Sequence, residues 1–182
     1  MRIAVTGTPG TGKTSATRLL ESGELRDELE AKEHEFEVVH LNDVIREHDL
    51  SSHYDEERET LVADIDAVAD WLADRDDVIF ESHLAHQFEA DRVVVLRCHP
   101  EEIENRLGER GEPDAKVDEN AESEALDVIL SEAVSRHGQN CVYEVETTNV
   151  PPRAVAREIV AIIAGEREPN AGTVSYLDYL SE

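Results

Sequence analysis

The chain has 182 residues, 17 of them basic and 43 acidic, for a formal charge of −26. That length suits one domain with a substantial core, no apolar run approaches the roughly 18 residues of a membrane span, and so acidic a surface argues against non-specific attachment to nucleic acid or membranes. Two cysteines, Cys98 and Cys141, are too few for a disulfide framework and, with no signal-peptide pattern ahead of Gly7, point to a reducing cytoplasm.

In chain order, the apolar run Ile3-Ala4-Val5 predicts a first, buried strand over residues 2–6. Gly7-Thr8-Pro9-Gly10-Thr11-Gly12-Lys13-Thr14 follows and fits G-x-x-x-x-G-K-[ST]. Ala16, Leu19 and Leu20 then mark one face of a helix over residues 13–21. Strand, motif and helix in this order predict a phosphate cradle. Gly7, Gly10 and Gly12 let the backbone turn its N–H groups inward, and the helix N-terminus adds a positive dipole end. Lys13 is placed to reach the β and γ phosphates of a nucleoside triphosphate, and the Thr14 hydroxyl to ligate Mg²⁺. A dinucleotide fingerprint is excluded, because Ser15 stands where a third glycine is needed.

The charged stretch Glu24 to Glu35 predicts a surface helix anchored by Leu25 and Leu29. Phe36 to Leu41 reads as a second strand, with Asn42 and Asp43 as candidate caps of a short helix from Val44 to Glu47. Residues 48–56 look like a loop, and the spacing of Leu61, Val62, Ile65, Val68, Ala69 and Leu72 predicts a helix from Glu57 to Ala73. Trp71 falls on that helix as a packing residue. Val78-Ile79-Phe80 is a third strand, running out at Glu81-Ser82-His83, and Val93 to Leu96 a fourth, buried on both faces. Pro100 opens a helix through Arg106. Residues 108–116 are polar and turn-rich, and a further amphipathic helix is expected from Glu122 to Arg136. Val142 to Val145 is a fifth strand and Pro151 to Ala164 a last core helix. The tail beyond Gly165, with Pro169, Asn170 and Gly172, is expected to be loosely attached. His83 and His86 with Cys98 and His99 give no matched pair of zinc ligands.

Strand and helix alternate, so the expected fold is α/β: about five parallel strands sandwiched by helices, with ligands at the carboxyl ends of the strands. Those ends carry the glycine loop, Asn42-Asp43, Glu81-Ser82-His83, His99 and the residues after Glu146. A GTPase reading lacks an Asn-Lys-x-Asp stretch, since all three lysines lie elsewhere. A small-molecule kinase needs a second phosphate site and a cationic lid. Arg46, Arg106 and Arg110 are the candidates, as guanidinium groups suit bidentate phosphate contacts.

These motifs together resemble the archaeal and nuclear-type adenylate kinase family. The resemblance rests on Gly7 to Thr14, Asn42 to Glu47, Tyr54 to Glu57, Val78 to His83, Val95 to Arg97, Arg106 to Gly111 and Lys116 to Asn120, covering about residues 1–137. It implies a nucleoside-monophosphate-kinase-like core over residues 1–165, with a monophosphate-binding segment at about 40–63, a lid at about 109–119 and the tail 166–182 outside the core. It implies adenylate kinase activity (ATP and AMP to two ADP) with Mg²⁺, an ATPase activity, and a part in small-ribosomal-subunit (16S rRNA) maturation beside a basic ribosomal protein. By it, Gly10, Gly12, Lys13, Thr14, Ser15 and Arg110 contact ATP, Arg46 and Arg106 serve the substrates, Thr14 and Glu81 hold the metal, and Lys13, Glu81, His83 and Arg110 act in catalysis. Glu81 stands where that family usually has aspartate, one methylene shorter. Two alternatives stay open: an ATP-gated assembly chaperone with little kinase activity, and a kinase for another small acceptor.

The charge carries its own expectation. With 14 of the 17 basic residues arginine, the surface repels itself at low ionic strength, where the Debye length grows to about 30 Å at 0.01 M salt. Adaptation to a halophile's salt-rich cytoplasm and affinity for a basic partner are both readings of it.

Overall fold

In a computed structural model of the chain, which describes residues 1–22, 25, 35–55 and 60–181, five strands form one parallel sheet. They are β1 (Arg2–Thr6), β2 (Glu37–His40), β5 (Val78–Glu81), β6 (Arg92–Arg97) and β7 (Val142–Glu146), in the spatial order β2-β5-β1-β6-β7. The remaining strands, β3 (Ser51–Asp55) and β4 (Thr60–Ala63), pair antiparallel as a separate hairpin. Among the described residues the α-helices are α1 (Lys13–Glu21), α2 (Leu41–Glu47), α3 (Ile65–Ala73), α4 (Pro100–Glu109), α5 (Asp114–Ala125), α6 (Val128–His137) and α7 (Pro152–Ile163).

Period-two alternation splits the core into two layers. Ile3, Val5, Ile79, Val94, Leu96 and Val145 face one side, where α1 and α7 cover them with Ala16, Leu20, Ile159 and Ile163. Ala4, Phe80, Val93, Val95 and Val142 face the other, against Val44 and Ile45 of α2, Val68 and Leu72 of α3, and Leu130 and Ala133 of α6. Trp71 packs at the edge of this second layer, with the Arg75 guanidinium 3.4 Å above its ring. The doubly wound arrangement expected from the alternating elements is therefore present. Among the described residues no helix is long and apolar enough to cross a membrane.

Four local expectations change. The helix foreseen from Glu57 begins only at Ile65, where the Asp64 carboxylate accepts a hydrogen bond from the Ala67 N–H and caps it. The segment foreseen as a loop over 48–56 supplies β3, because Ser51 to Asp55 pairs with Thr60 to Ala63 across the sequence. The short helix begins at Leu41 rather than Val44, so its cap is His40 and neither Asn42 nor Asp43. The helix foreseen from Glu122 to Arg136 is broken at Asp127, held at φ 54° while its carboxylate accepts from Arg97. The surface helix expected over 24–35 falls almost wholly outside the described residues, Leu29 with it, though Leu25 is buried in the first core layer.

The tail is not loose. Asn170 pairs through its backbone and side chain with the outer edge of β7, donating to Val142 O and Glu144 O and accepting from the Glu144 N–H at 2.8 Å. Tyr176 is 9% exposed, donates to Glu146 and stacks edge-on against His99, and Tyr179 donates to Glu104 on α4 at 2.6 Å. The tail thus covers the exposed edge of β7, which a parallel sheet otherwise leaves unpaired.

Candidate active site

The glycine loop joins β1 to α1 at the carboxyl edge of the sheet, and its shape needs glycine at two points. Gly7 has φ +140°, and a Cβ there would lie 2.5 Å from the Leu96 carbonyl oxygen. Gly12, the residue before α1, is left-handed at φ 89°. Beyond it the first N–H groups of α1 have no intrahelical acceptor and face an incoming anion.

Gly10, Gly12, Lys13, Thr14, Ser15, Asn42, Glu81, His83 and Arg110 line one cleft of about 150 Å³. The Lys13 ammonium is buried, folded back on the loop to donate to Gly7 O at 2.7 Å and Thr8 O at 3.0 Å. Burial lowers its pKa from 10.5 to about 8, with Arg110 adding to the fall, while Glu81 and Glu124 oppose it. A phosphate entering the cradle would supply the negative charge this ammonium lacks.

Glu81 ends β5 almost fully buried. Its Oε1 accepts from Thr14 Oγ1 at 2.9 Å and from His40 Nδ1 at 2.8 Å. Burial alone would raise its pKa, but the His40 hydrogen bond, Lys13 and Thr14 outweigh that and hold it below the usual carboxylate value. His40 is correspondingly raised, chiefly by the hydrogen bond to Glu81. Adjacent oxygens of an octahedral Mg²⁺ shell with bonds of 2.0–2.1 Å lie about 2.9 Å apart. The Thr14–Glu81 pair matches that spacing, and two hard oxygen donors leave the other positions for water and phosphate. The residues therefore fit a magnesium ion. The ordinary pKa of His83 is depressed to about 4, by burial first and then by the nearby Lys13, so its imidazole is neutral around pH 7.

A second cleft of about 540 Å³ adjoins the first. It is lined by Arg46 and Ile45 of α2, Tyr54, Leu61 and Val62 of the hairpin, and His83 and Leu84 beyond β5. Asn42 and His83 belong to both clefts, so the two share a wall. Arg46 is exposed there and pairs with Asp43 at 3.2 Å.

Of the residues singled out in the sequence, Gly10, Gly12, Lys13, Thr14, Ser15, Glu81, His83 and Arg110 meet in the first cleft and Arg46 stands in the second. Arg106 joins neither group: it pairs with Glu102 and donates to Gly10 O at 3.1 Å and Thr147 O at 3.3 Å, bracing the loop from outside. Three further residues complete the site. His40 is brought to Glu81 because the two are register partners on neighbouring parallel strands. Asn42, expected as a cap, instead accepts from Ser82 Oγ at 3.2 Å. Glu124 on α5 accepts from Thr8 of the loop and, at 2.7 Å, from the buried Arg97, which also reaches Glu144 and Asp127. Strand-end position marks His40 as a candidate, but nothing local marks Glu124.

Comparison with known proteins agrees with this architecture. Residues 3–127 match the family model described as AAA domain. A protein of Natronomonas pharaonis named "Putative adenylate kinase" is 56% identical over 180 residues, covering 99% of this chain and all of its own length. The protein of that name from Halobacterium salinarum is 50% identical over 181 residues with the same coverage, and that of Methanocaldococcus jannaschii 34% over 188, covering 100% of this chain and 98% of its own. Among solved structures, shikimate kinase from Acinetobacter baumannii superposes with a TM-score of 0.61 at 17% identity, over 91% of this chain and 94% of that one, a likeness of fold alone. On its glycine loop, its strand order and these full-length matches, the chain belongs to the AAA-domain P-loop proteins and, among them, to the archaeal adenylate kinase-type family.

Proposed function

We propose that this protein is a Mg²⁺-dependent kinase that transfers the γ-phosphoryl group of ATP to AMP, giving two ADP, and that it hydrolyses ATP when no acceptor is bound. The observation carrying this reading is the shared wall of the two clefts, where Asn42 and His83 stand between a phosphate cradle and a cavity of nucleotide size. In this reading the loop and Lys13 hold the β and γ phosphates. Thr14 and Glu81 hold the metal, the carboxylate directly or through a metal-bound water, and the metal neutralises charge on the transferring group. Arg110, on a lid at about 109–119, covers the nucleotide from above. Arg46, in a monophosphate segment at about 40–63, takes the acceptor phosphate. The neutral His83 accepts a hydrogen bond from the attacking hydroxyl or water and orients it. Catalysis is then positioning and charge neutralisation. The names of the archaeal relatives support the same substrates.

The products formed from ATP with and without AMP, in molar KCl, test the proposal. Strong stimulation of ADP formation by AMP is expected, with loss of turnover in Lys13→Ala. ADP formation that AMP fails to raise above the basal hydrolysis, or turnover that survives Lys13→Ala, would refute it, and a panel of other monophosphates would reveal a different acceptor.

The charge of −26 favours a second, compatible role: ATP-gated assistance to small-subunit maturation through a basic ribosomal protein. Salt-sensitive, nucleotide-dependent capture of such a protein is the expected result, and capture indifferent to nucleotide would count against it. The same charge, spread over a lysine-poor surface, suits a protein working in concentrated salt.

A further inference from the structure

We infer that His40 is a positioning residue for the metal-bound nucleotide: its ring fixes the Glu81 carboxylate against Thr14. The inference rests on the reading that Thr14 and Glu81 hold Mg²⁺. His40 and Glu81 are direct partners in the parallel register of β2 and β5, so their side chains leave the sheet on the same face. One carboxylate oxygen, Glu81 Oε1, takes both the His40 Nδ1 contact at 2.8 Å and the Thr14 Oγ1 contact at 2.9 Å. An ionised carboxylate only accepts, so Nδ1 carries the proton. On its far side Nε2 lies 3.4 Å from Oε2 of Glu21, the last residue of α1, which orients the ring from behind.

A glutamate side chain has three rotatable bonds, and ordering all of them costs conformational entropy that a fixed partner offsets. His40 is such a partner. Its backbone is set by β2 on one side and by the start of α2 on the other. Its side chain is mostly buried, and both ring nitrogens face carboxylate oxygens, those of Glu81 and Glu21. It also opens the helix that carries Asn42 and Arg46, so one residue joins the metal side of the cradle to the neighbouring cleft.

The experiment measures the equilibrium dissociation constant of a fluorescent ATP analogue, with excess Mg²⁺ and again with EDTA, in molar KCl. The wild type is expected to bind more tightly with Mg²⁺, and Glu81→Gln to lose most of that gain. His40→Leu fills a similar volume without a donor. It should leave the EDTA value within about twofold and reduce the magnesium gain by about tenfold or more, the usual effect of losing an outer-shell partner. His40→Gln, whose amide can donate to Glu81, should restore much of the gain. Should His40→Leu keep the wild-type gain, or weaken binding equally with Mg²⁺ and EDTA, the inference is overturned and the residue is merely structural. Should the wild type and Glu81→Gln show the same magnesium gain, the metal site itself is misassigned, a separate failure.

Discussion

Burial of Lys13 makes nucleotide affinity depend on pH in a range where an ordinary lysine does not titrate. Its ammonium is lowered from 10.5 to about 8 by desolvation, so the nucleotide-free protein begins to lose the charge that receives the phosphates near that pH. The sign follows directly: the protonated form binds, so affinity is complete well below about 8 and is lost as pH rises through it. Above pH 7.5 the phosphates, with a second pKa of about 6, are already ionised and add no slope. For a pKa of about 8 the protonated fraction falls from roughly 76% at pH 7.5 to roughly 3% at pH 9.5, a loss of about 25-fold. An unperturbed lysine would lose only about 10% of its charge over the same interval. The assay is a fluorescence titration of a Mg²⁺-bound ATP analogue at half-unit steps of pH, in constant molar KCl. Lys13→Arg keeps its charge throughout and should bind with no comparable slope. A wild-type dissociation constant that changes less than about twofold between pH 7.5 and 9.5 would refute the argument. So would an equal slope in the arginine variant.

Replacing Arg97 by Met leaves Glu124, Asp127 and Glu144 facing one another without their cation, so urea unfolding should show a loss of about 3–5 kcal/mol. Tyr176→Phe removes one hydrogen bond to Glu146 and keeps the ring against His99. A loss of about 1 kcal/mol in thermal unfolding is expected, and an unchanged transition would mean that this hydrogen bond contributes nothing to stability. Arg46→Ala should raise the KM for AMP by about 10- to 100-fold, the worth of charged hydrogen bonds to a phosphate, and leave the KM for ATP nearly unchanged. Steady-state kinetics with each substrate varied in turn separates the two.

Residues that act through their neighbours in the chain are legible in the sequence itself. The run from Gly7 to Thr14 follows an apolar strand and opens a helix, and that succession of backbone shapes is enough to build a phosphate cradle. The alternation of strands and amphipathic helices likewise requires a parallel sheet with two covered faces, because each apolar side must find another. Composition sets the acidic surface. What the chain does not disclose locally is pairing across distance. Residues 60–63 have apolar positions compatible with a helix, and only the partnership with residues 51–55 makes them a strand. Asp127 breaks a helical pattern because a buried arginine 30 positions earlier captures its carboxylate. The tail reads as unattached since its anchors, Asn170 and Tyr176, find their partners on β7, well before them in sequence. His40 joins the site for the same reason. The order of strands in the sheet puts it beside Glu81, and that order is fixed by packing of the whole core rather than by any short stretch of residues.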